Sequence, residues 1–166
     1  MESAADGRAN EGWVTGQELK AYLESELELV FSKNPWTLNG GWGVRASGMT
    51  MVFKASAEPG RRLVSVKVNG SDVEDQQRYT IAGCERDGEP LDMVCRHRGT
   101  HEARVLPMTI HQALRRYLKA HPVIAPRRDE REIAIDLPRR VFSQDAVLTG
   151  GDLSKAPTTP SGLPAG

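Results

Sequence analysis

The sequence lacks net charge. Its 166 residues include 22 Lys and Arg and 22 Asp and Glu, so the formal charge is +0 and the pI is near neutral. Polyanions such as nucleic acids and anionic membranes are bound by an excess of basic residues, and this chain has none overall. We therefore expect no nucleic-acid partner and no membrane partner, and any binding has to come from a local site.

Long apolar runs and an export signal are missing as well. No apolar run approaches the ~20 residues that cross a bilayer. The start, "MESAADGRAN", lacks the basic-then-apolar pattern of a signal peptide. These absences predict a soluble chain that carries no export signal, although a shortened start would remove such a signal and leave the localisation open.

Cysteine is scarce, and its spacing argues against a metal site. The segment "IAGCERDGEPLDMVCRHRGTH" holds the two cysteines of the chain and two of its four histidines, all of them acceptable zinc ligands: Cys84, Cys95, His97 and His101. Structural zinc sites usually pair cysteines across two to four residues, whereas ten separate these. We expect no metal in this chain, and two cysteines are too few for a disulfide framework.

Common catalytic motifs are also absent. The sequence contains no Walker loop, no G-x-S-x-G, no H-E-x-x-H and no G-x-G-x-x-G. A cysteine nucleophile would need a base and an orienting group that sequence alone cannot place in space. We therefore expect no catalytic residue in this chain.

The length suits one domain with tails. Residues 1–12 and 149–166 are rich in small and polar residues without apolar periodicity, which predicts two disordered tails around a domain at 13–148. Thr15 and Glu18 form a capping box before apolar residues at helical spacing: Leu19, Tyr22, Leu23, Leu27, Val30 and Phe31. Thr109 is the predicted N-cap of a second helix with one apolar face: Ile110, Ala113, Leu114, Tyr117 and Leu118.

Between the helices, alternating residues predict three strands. "MTMVF" and "RLVSVKV" alternate apolar and polar side chains and predict an antiparallel hairpin, and "RYTIAG" is the third strand. The predicted fold class is α+β: an N-terminal helix, an antiparallel three-stranded meander or small mixed sheet, then a second helix.

The segment at 81–101 also has the residues of an anion-binding loop. Three arginines lie near three glycines, where guanidinium groups and backbone N–H groups could meet a phosphate or carboxylate: Arg86, Arg96 and Arg98 near Gly83, Gly88 and Gly99. Four acidic residues could instead pair with these arginines: Glu85, Asp87, Glu89 and Asp92. Both readings of the loop stay open.

Five motifs in order resemble a known family. "VTGQELKAYLE", "RASGMTMVF", "LVSVKVNG", "YTIAG" and "TIHQALRRYL" look like the second half of the 5′-nucleotidase C-terminal domain, from about Val14 to about Leu118. The resemblance implies a substrate-recognition module for a nucleotide or related anionic substrate. It also implies a metallophosphoesterase domain as partner, which would hold a divalent two-metal centre, with no cofactor in this chain.

The sequence also departs from the family. The Gly-Asn-Leu helix and the Gly-Gly-x-Arg loop of the first half are missing, which implies a partial domain. No aromatic residue lies between Ile81 and Tyr117, so we do not expect an intact base-stacking site, and the form is similar to the divergent thiosulfohydrolase branch. The resemblance places six residues at the family's substrate pocket: Gly83, Cys84, Glu85, Arg86, Cys95 and Arg96.

Two other functions remain open on sequence grounds. The first is a noncatalytic interaction or remnant domain that keeps the fold and has lost ligand binding. A half-domain would leave apolar helix faces and a sheet edge uncovered, which favours a partner. The second is a small zinc-binding module.

Members of the family that the sequence resembles usually work in the periplasm or outside the cell.

Overall fold

The computed structural model describes residues 7–38, 46–84, 88–94, 96–124 and 130–137. Seven strands and two helices lie in these ranges: β1 (Arg8–Thr15), α1 (Gly16–Phe31), β2 (Met49–Phe53), β3 (Leu63–Val68), β4 (Ser71–Asp72), β5 (Arg78–Cys84), β6 (His101–Thr109), α2 (Ile110–Ala120) and β7 (Glu132–Ala134). The predicted tail at 149–166 lies outside the described residues.

The strands form two small sheets. One has the order β5-β1-β6 and is antiparallel, and the other has the order β4-β3-β2-β7, in which only the β2–β7 pair is parallel. Two helices with two mostly antiparallel sheets make an α+β fold, which confirms the predicted class.

Strand β1 corrects two expectations. The prediction of a disordered tail over 1–12 is wrong from Arg8 onward, because β1 begins there. β1 is the central strand of its sheet and pairs with β5 through Gly12 opposite Ile81 and Thr15 opposite Arg78. The third predicted strand therefore joins β1 and not the β2–β3 hairpin, and the three strands do not form one meander.

The hairpin and the first helix follow the sequence prediction. β2 pairs antiparallel with β3. At the start of α1, the Thr15 side chain accepts a hydrogen bond from the Glu18 backbone N–H at 3.2 Å, and the Glu18 carboxylate accepts from the Thr15 N–H at 2.7 Å. This confirms the capping box and fixes where β1 ends and α1 begins.

The core lies between α1 and strands of both sheets. Its buried apolar side chains come from α1, β1, β2, β3 and the connections that follow: Val14, Leu19, Leu23, Leu27, Met51, Phe53, Ala55, Val66 and Val73. Tyr79 and Ile81 of β5 pack against the same cluster. The predicted apolar face of α1 is thus the core face, and β5 borders that core.

A buried arginine joins α1 to the second sheet. Arg62 is 2% exposed and donates to the Glu28 carboxylate at 2.9 and 3.1 Å and to the backbone oxygen of Ala55. The Glu24 carboxylate accepts the backbone N–H groups of Arg62 and Leu63. Two turns of α1 therefore hold the start of β3 in place.

Helix α2 has the predicted N-cap but not a buried face. Thr109 and Gln112 form a second capping box, and the helix ends at Ala120, close to Pro122. None of its residues is buried, so the predicted apolar face stays at least partly exposed among the residues that the structure describes. In the described part of the chain, no helix is long and apolar enough to span a membrane.

Candidate functional site

A cleft of about 980 Å³ separates β5 from the ends of β2, β3 and β4. Its floor consists of core side chains from α1 and β1, including Val14, Leu19 and Leu23. β5 is the edge strand of its sheet, and residues 77–82 form one wall. The opposite wall contains residues 46–49 and 68–72, apart from 70. The two sheets and α1 together therefore enclose one concave site.

Turn residues shape the wall opposite β5. Asn69 has a positive φ of 51°, and its backbone N–H donates to the oxygen of Gly48 at 2.8 Å. The "VNG" turn predicted from Asn69-Gly70 thus closes the end of the hairpin beside the cleft. At the other wall, the Tyr79 hydroxyl accepts the Glu74 backbone N–H at 2.9 Å. These contacts give the cleft rigid rims.

His97 reaches the cleft from the loop between β5 and β6. Val94 and His97 exchange two backbone hydrogen bonds of 2.9 and 3.0 Å, which makes a tight turn. The ring of His97 packs edge-on against Tyr22 of α1, with centroids 5.2 Å apart, and its Nδ1 lies 3.4 Å from the Thr100 hydroxyl. Burial lowers the pKa of His97, so a neutral imidazole faces the site.

A stack of three side chains borders the start of β5. The Arg78 guanidinium lies 4.1 Å from the centre of the Trp13 ring, and His101 stacks on Trp13 with centroids 4.1 Å apart. His101 Nε2 lies 3.0 Å from the Glu18 carboxylate. The pKa of Glu18 is lowered to about 2, mainly by the hydrogen bond from the Thr15 backbone N–H and next by the bond to His101. The stack thus ties Arg78, a residue of the cleft wall, to the α1 N-terminus.

Three of the six predicted pocket residues fall in the described chain. Gly83 lies in β5 opposite Asn10, and Cys84 ends β5 with its backbone opposite Ala9. Glu85, Arg86 and Cys95 lie outside the described residues. Gly83 is not among the described residues that line the cleft, and the assignment of these six residues to a substrate pocket stays a prediction.

Arg96, the third described pocket residue, is already paired. Its guanidinium donates to the carboxylate of Glu26, whose side chain is only 7% exposed. Arg96 also has a positive φ of 70°, which lets the chain turn between Val94 and His97. In this arrangement Arg96 anchors the loop to α1.

Asp92, one of the acidic residues of the loop, also has structural contacts. The Asp92 carboxylate accepts the Gly99 N–H at 3.3 Å, and its backbone oxygen accepts the Thr100 N–H at 3.0 Å. Asp92 therefore holds the backbone of the loop. Among the described residues, no group of three or more His, Cys, Asp and Glu side chains is arranged to hold a metal ion.

Sequence reasoning missed two residues that matter here. The sequence placed Arg78 in a strand but assigned it to no site. Its strand, β5, pairs with β1, and this pairing places Arg78 in the cleft wall, but the pairing could not be seen from the sequence. Asn10 was assigned to a tail. It is fully buried, and both polar atoms of its side chain lack a hydrogen-bond partner among the described residues. The alternation of Asn10, Gly12 and Val14 toward one face was the available signal.

Comparisons with known proteins agree with this geometry. Residues 7–85, just under half of the chain, match the family model described as 5′-nucleotidase, C-terminal domain. The sulfate thiohydrolase SoxB of Thermus thermophilus, solved in complex with glycerol, is 25% identical with a TM-score of 0.64, and the match covers 81% of this chain and 23% of that chain. No curated protein sequence matches the chain.

A second solved structure shares the fold. The 5′-nucleotidase precursor from Thermus thermophilus is 16% identical with a TM-score of 0.61, and the match covers 80% of this chain and 26% of that chain. The chain thus spans about a quarter of the length of each of these two structures. Residues 7–85 are thus similar to the 5′-nucleotidase C-terminal domain, and the fold resembles part of the corresponding region in both SoxB and the 5′-nucleotidase precursor.

Proposed function

We propose that the chain is a substrate-recognition module that binds a nucleotide or a related small anion in the cleft. It works with a metallophosphoesterase domain, which supplies the divalent two-metal centre and the catalytic step. The observation that carries this proposal is the cleft of about 980 Å³, enclosed by α1 and both sheets, in a domain of this family.

The size and the lining of the cleft support a small ligand. Small-molecule sites usually occupy roughly 300–1,000 Å³ and combine an apolar floor with a few polar groups. Here the floor is apolar core, and polar side chains stand at the rims. Tyr22 and Tyr79 line the cleft, so aromatic rings come from α1 and β5 although the loop before α2 has none. A nucleobase or another flat group would find apolar and aromatic contacts there.

The charged residues that line the cleft favour the binding of an anionic group at one end only. Among the described lining residues, Arg78 is the only Lys or Arg, and its position is fixed by Trp13. Asp72 and Glu74 line the same cleft, near the β4 end. An anionic group is therefore expected beside Arg78, and the uncharged part of the ligand beside the tyrosines. His97, which also lines the cleft, adds a hydrogen-bonding group.

The test is a binding titration with three defined ligands: adenosine 5′-monophosphate, orthophosphate and thiosulfate. We expect at least one to bind at millimolar concentration or tighter. Arg78→Gln should weaken its binding about two- to fivefold, and Asp72→Asn should strengthen it by a similar factor, because exposed charge pairs contribute up to ~1 kcal/mol. Arg61→Gln, which removes an exposed charge outside the cleft lining, should leave the affinity unchanged. The absence of binding by all three ligands would contradict the recognition function.

A noncatalytic interaction function is the second candidate, and one observation favours it. Four apolar residues of α2 are between 37% and 52% exposed, and an exposed apolar face of this kind often marks an interaction site: Ile110, Leu114, Tyr117 and Leu118. If no ligand binds in the cleft and α2 still has a protein partner, the domain is an interaction module. The two functions are compatible in one chain, because the cleft lining does not include residues of α2.

A further inference from the structure

We propose that Glu26 and Arg96 are positioning residues: their ion pair holds the loop between β5 and β6 on α1, and this keeps His97 in the cleft as a ligand-binding residue. The contact of His97 with a ligand rests on the proposed function. The placement of His97 by the ion pair rests only on the contacts, burial and backbone conformation of the described residues.

Glu26 is a carboxylate on the buried face of α1. It is 5% exposed and lies in the helix between the buried residues Leu23 and Leu27. A buried carboxylate is rare and costly unless it is paired, and the Arg96 guanidinium is its partner among the described residues. The burial of Glu26 therefore favours a loop that stays on α1, because the release of Arg96 would leave this carboxylate without its partner.

Two neighbouring contacts join the loop to α1. Tyr22 and Glu26 are four positions apart, so they lie on the same face of the helix. Tyr22 packs against the ring of His97 with centroids 5.2 Å apart, and Glu26 binds Arg96, the residue before His97. Consecutive loop residues thus meet successive turns of α1, and a movement of Arg96 away from the helix would displace the His97 ring.

The backbone of Arg96 also shows that its side chain is needed at this position. Its φ of 70° lies in the left-handed region, which residues other than glycine rarely adopt. Two backbone hydrogen bonds between Val94 and His97 close the turn around it. Such conformations persist where surrounding contacts hold them, and they are common at ligand sites. An arginine stands where glycine would fit the backbone better, so the guanidinium and its bond to Glu26 account for the residue.

His97 is the residue through which the ion pair affects the cleft. Among the described residues of the loop, it is the one that lines the cleft. Burial lowers its pKa, while the charge of Glu18 raises the pKa and that of His101 lowers it. A neutral imidazole has one nitrogen that donates and one that accepts a hydrogen bond. His97 can therefore bind a polar group of the ligand while its ring stays packed on Tyr22.

The first test measures the pKa of His97 in the ligand-free, full chain by nuclear magnetic resonance of its ring. Glu26→Gln keeps the side-chain shape and removes the charge. If the ion pair positions His97, its loss lets the ring move into water, and the pKa of His97 rises toward the ordinary value. Loss of a negative charge without movement would lower this pKa instead, because a carboxylate favours the protonated ring. A lowered or unchanged pKa in Glu26→Gln overturns the positioning role.

The matched control removes the same charge from an exposed ion pair. Glu58 pairs with Lys33, both side chains are more than three-quarters exposed, and neither residue lines the cleft. Glu58→Gln should therefore leave the pKa of His97 unchanged. An equal rise in Glu58→Gln would show that the effect is not specific to the ion pair of Glu26 with Arg96, and this would also overturn the proposal.

The second test measures binding of adenosine 5′-monophosphate, orthophosphate and thiosulfate. Glu26→Gln and His97→Phe should each weaken the binding of a bound ligand about threefold to tenfold, as the loss of one hydrogen bond does. The double variant should bind as weakly as His97→Phe alone, because Glu26 acts through His97. Additive losses would give Glu26 a separate role and overturn the proposal. If wild type binds none of the ligands, the proposed function and the ligand contact of His97 both fail, whereas the pKa comparison still decides whether the ion pair positions His97.

Two changes at Arg96 separate the ion pair from the backbone conformation. Arg96→Lys keeps a cation near Glu26 and should bind the ligand within about twofold of wild type, because the pair does not depend on a two-pronged guanidinium contact. Arg96→Gly suits the positive φ but removes the cation, so it should weaken binding as much as Glu26→Gln. If Arg96→Gly bound the ligand as tightly as wild type, the backbone turn alone would position His97, and the role assigned to the ion pair would be wrong.

Discussion

Replacement of buried Arg62 by methionine should destabilise the domain far more than the same change at its exposed neighbour. Arg62 is 2% exposed and donates to the backbone oxygen of Ala55, a residue that is 7% exposed. Methionine keeps most of the side-chain volume but removes every donor. The Ala55 oxygen is then left without this partner in a buried position, which costs roughly 1–3 kcal/mol. The Glu28 carboxylate also loses its partner, but it is partly exposed and water replaces the contact.

Equilibrium unfolding in urea measures this loss. For a small domain, ΔG falls by ~1–3 kcal/mol per molar urea, so the midpoint for Arg62→Met should fall by about 1 M. Arg61→Met is the matched control, since Arg61 is exposed, and its effect should stay within about 0.5 kcal/mol. If both variants shifted the midpoint equally, the contact of Arg62 with Ala55 and Glu28 would not hold α1 to the second sheet, and this part of the reasoning would be refuted.

Three further outcomes follow from the core and from the α1 N-terminus. Leu23→Ala, at 1% exposure, should lose about 2–5 kcal/mol of unfolding free energy in calorimetry, and a loss below about 1 kcal/mol would show that the core is looser than described. Gly16→Ala places a Cβ against the backbone oxygen of Glu74, well inside contact distance, so it should lower the melting temperature markedly, and a wild-type value would contradict this packing. Glu18 has its pKa lowered from 4.5 to about 2, so its stabilising contribution is complete above pH 4.5 and is lost as the pH falls toward 2. Glu18→Gln should flatten the pH dependence of unfolding in that window, and an unchanged slope would show that the carboxylate makes no stabilising bond.

Local signals predicted the helices well. The predicted capping box of Thr15 and Glu18 depends on residues three positions apart, and the structure confirms it. The structure also confirms Thr109 as the N-cap of α2 and adds a capping box with Gln112, which was not predicted. The hairpin of β2 and β3 is likewise local, because its alternating strands are neighbours in the chain. Elements whose partners are close in sequence could therefore be predicted.

The features that could not be predicted are those whose partners are distant in the sequence. β1 contains Asn10 and Gly12, which disfavour a strand locally, and it exists because β5 and β6 pair with it from both sides. The Arg96–Glu26 pair joins residues 70 positions apart, so no local pattern showed that Arg96 holds α1. Both discrepancies bear on the site: β1 supports the cleft wall, and the pairing of Arg96 moves the expected anion contact to Arg78.

The cleft assignment is tested most directly by chemical-shift mapping of the ¹⁵N-labelled chain with adenosine 5′-monophosphate, orthophosphate and thiosulfate. The account predicts saturable shifts for the amides of residues 77–82, Asn69 and His97, which line the cleft, and small shifts elsewhere. No shift with any of the three ligands at millimolar concentration, or saturable shifts confined to α2, would contradict a recognition site between β5 and the β2–β3 hairpin.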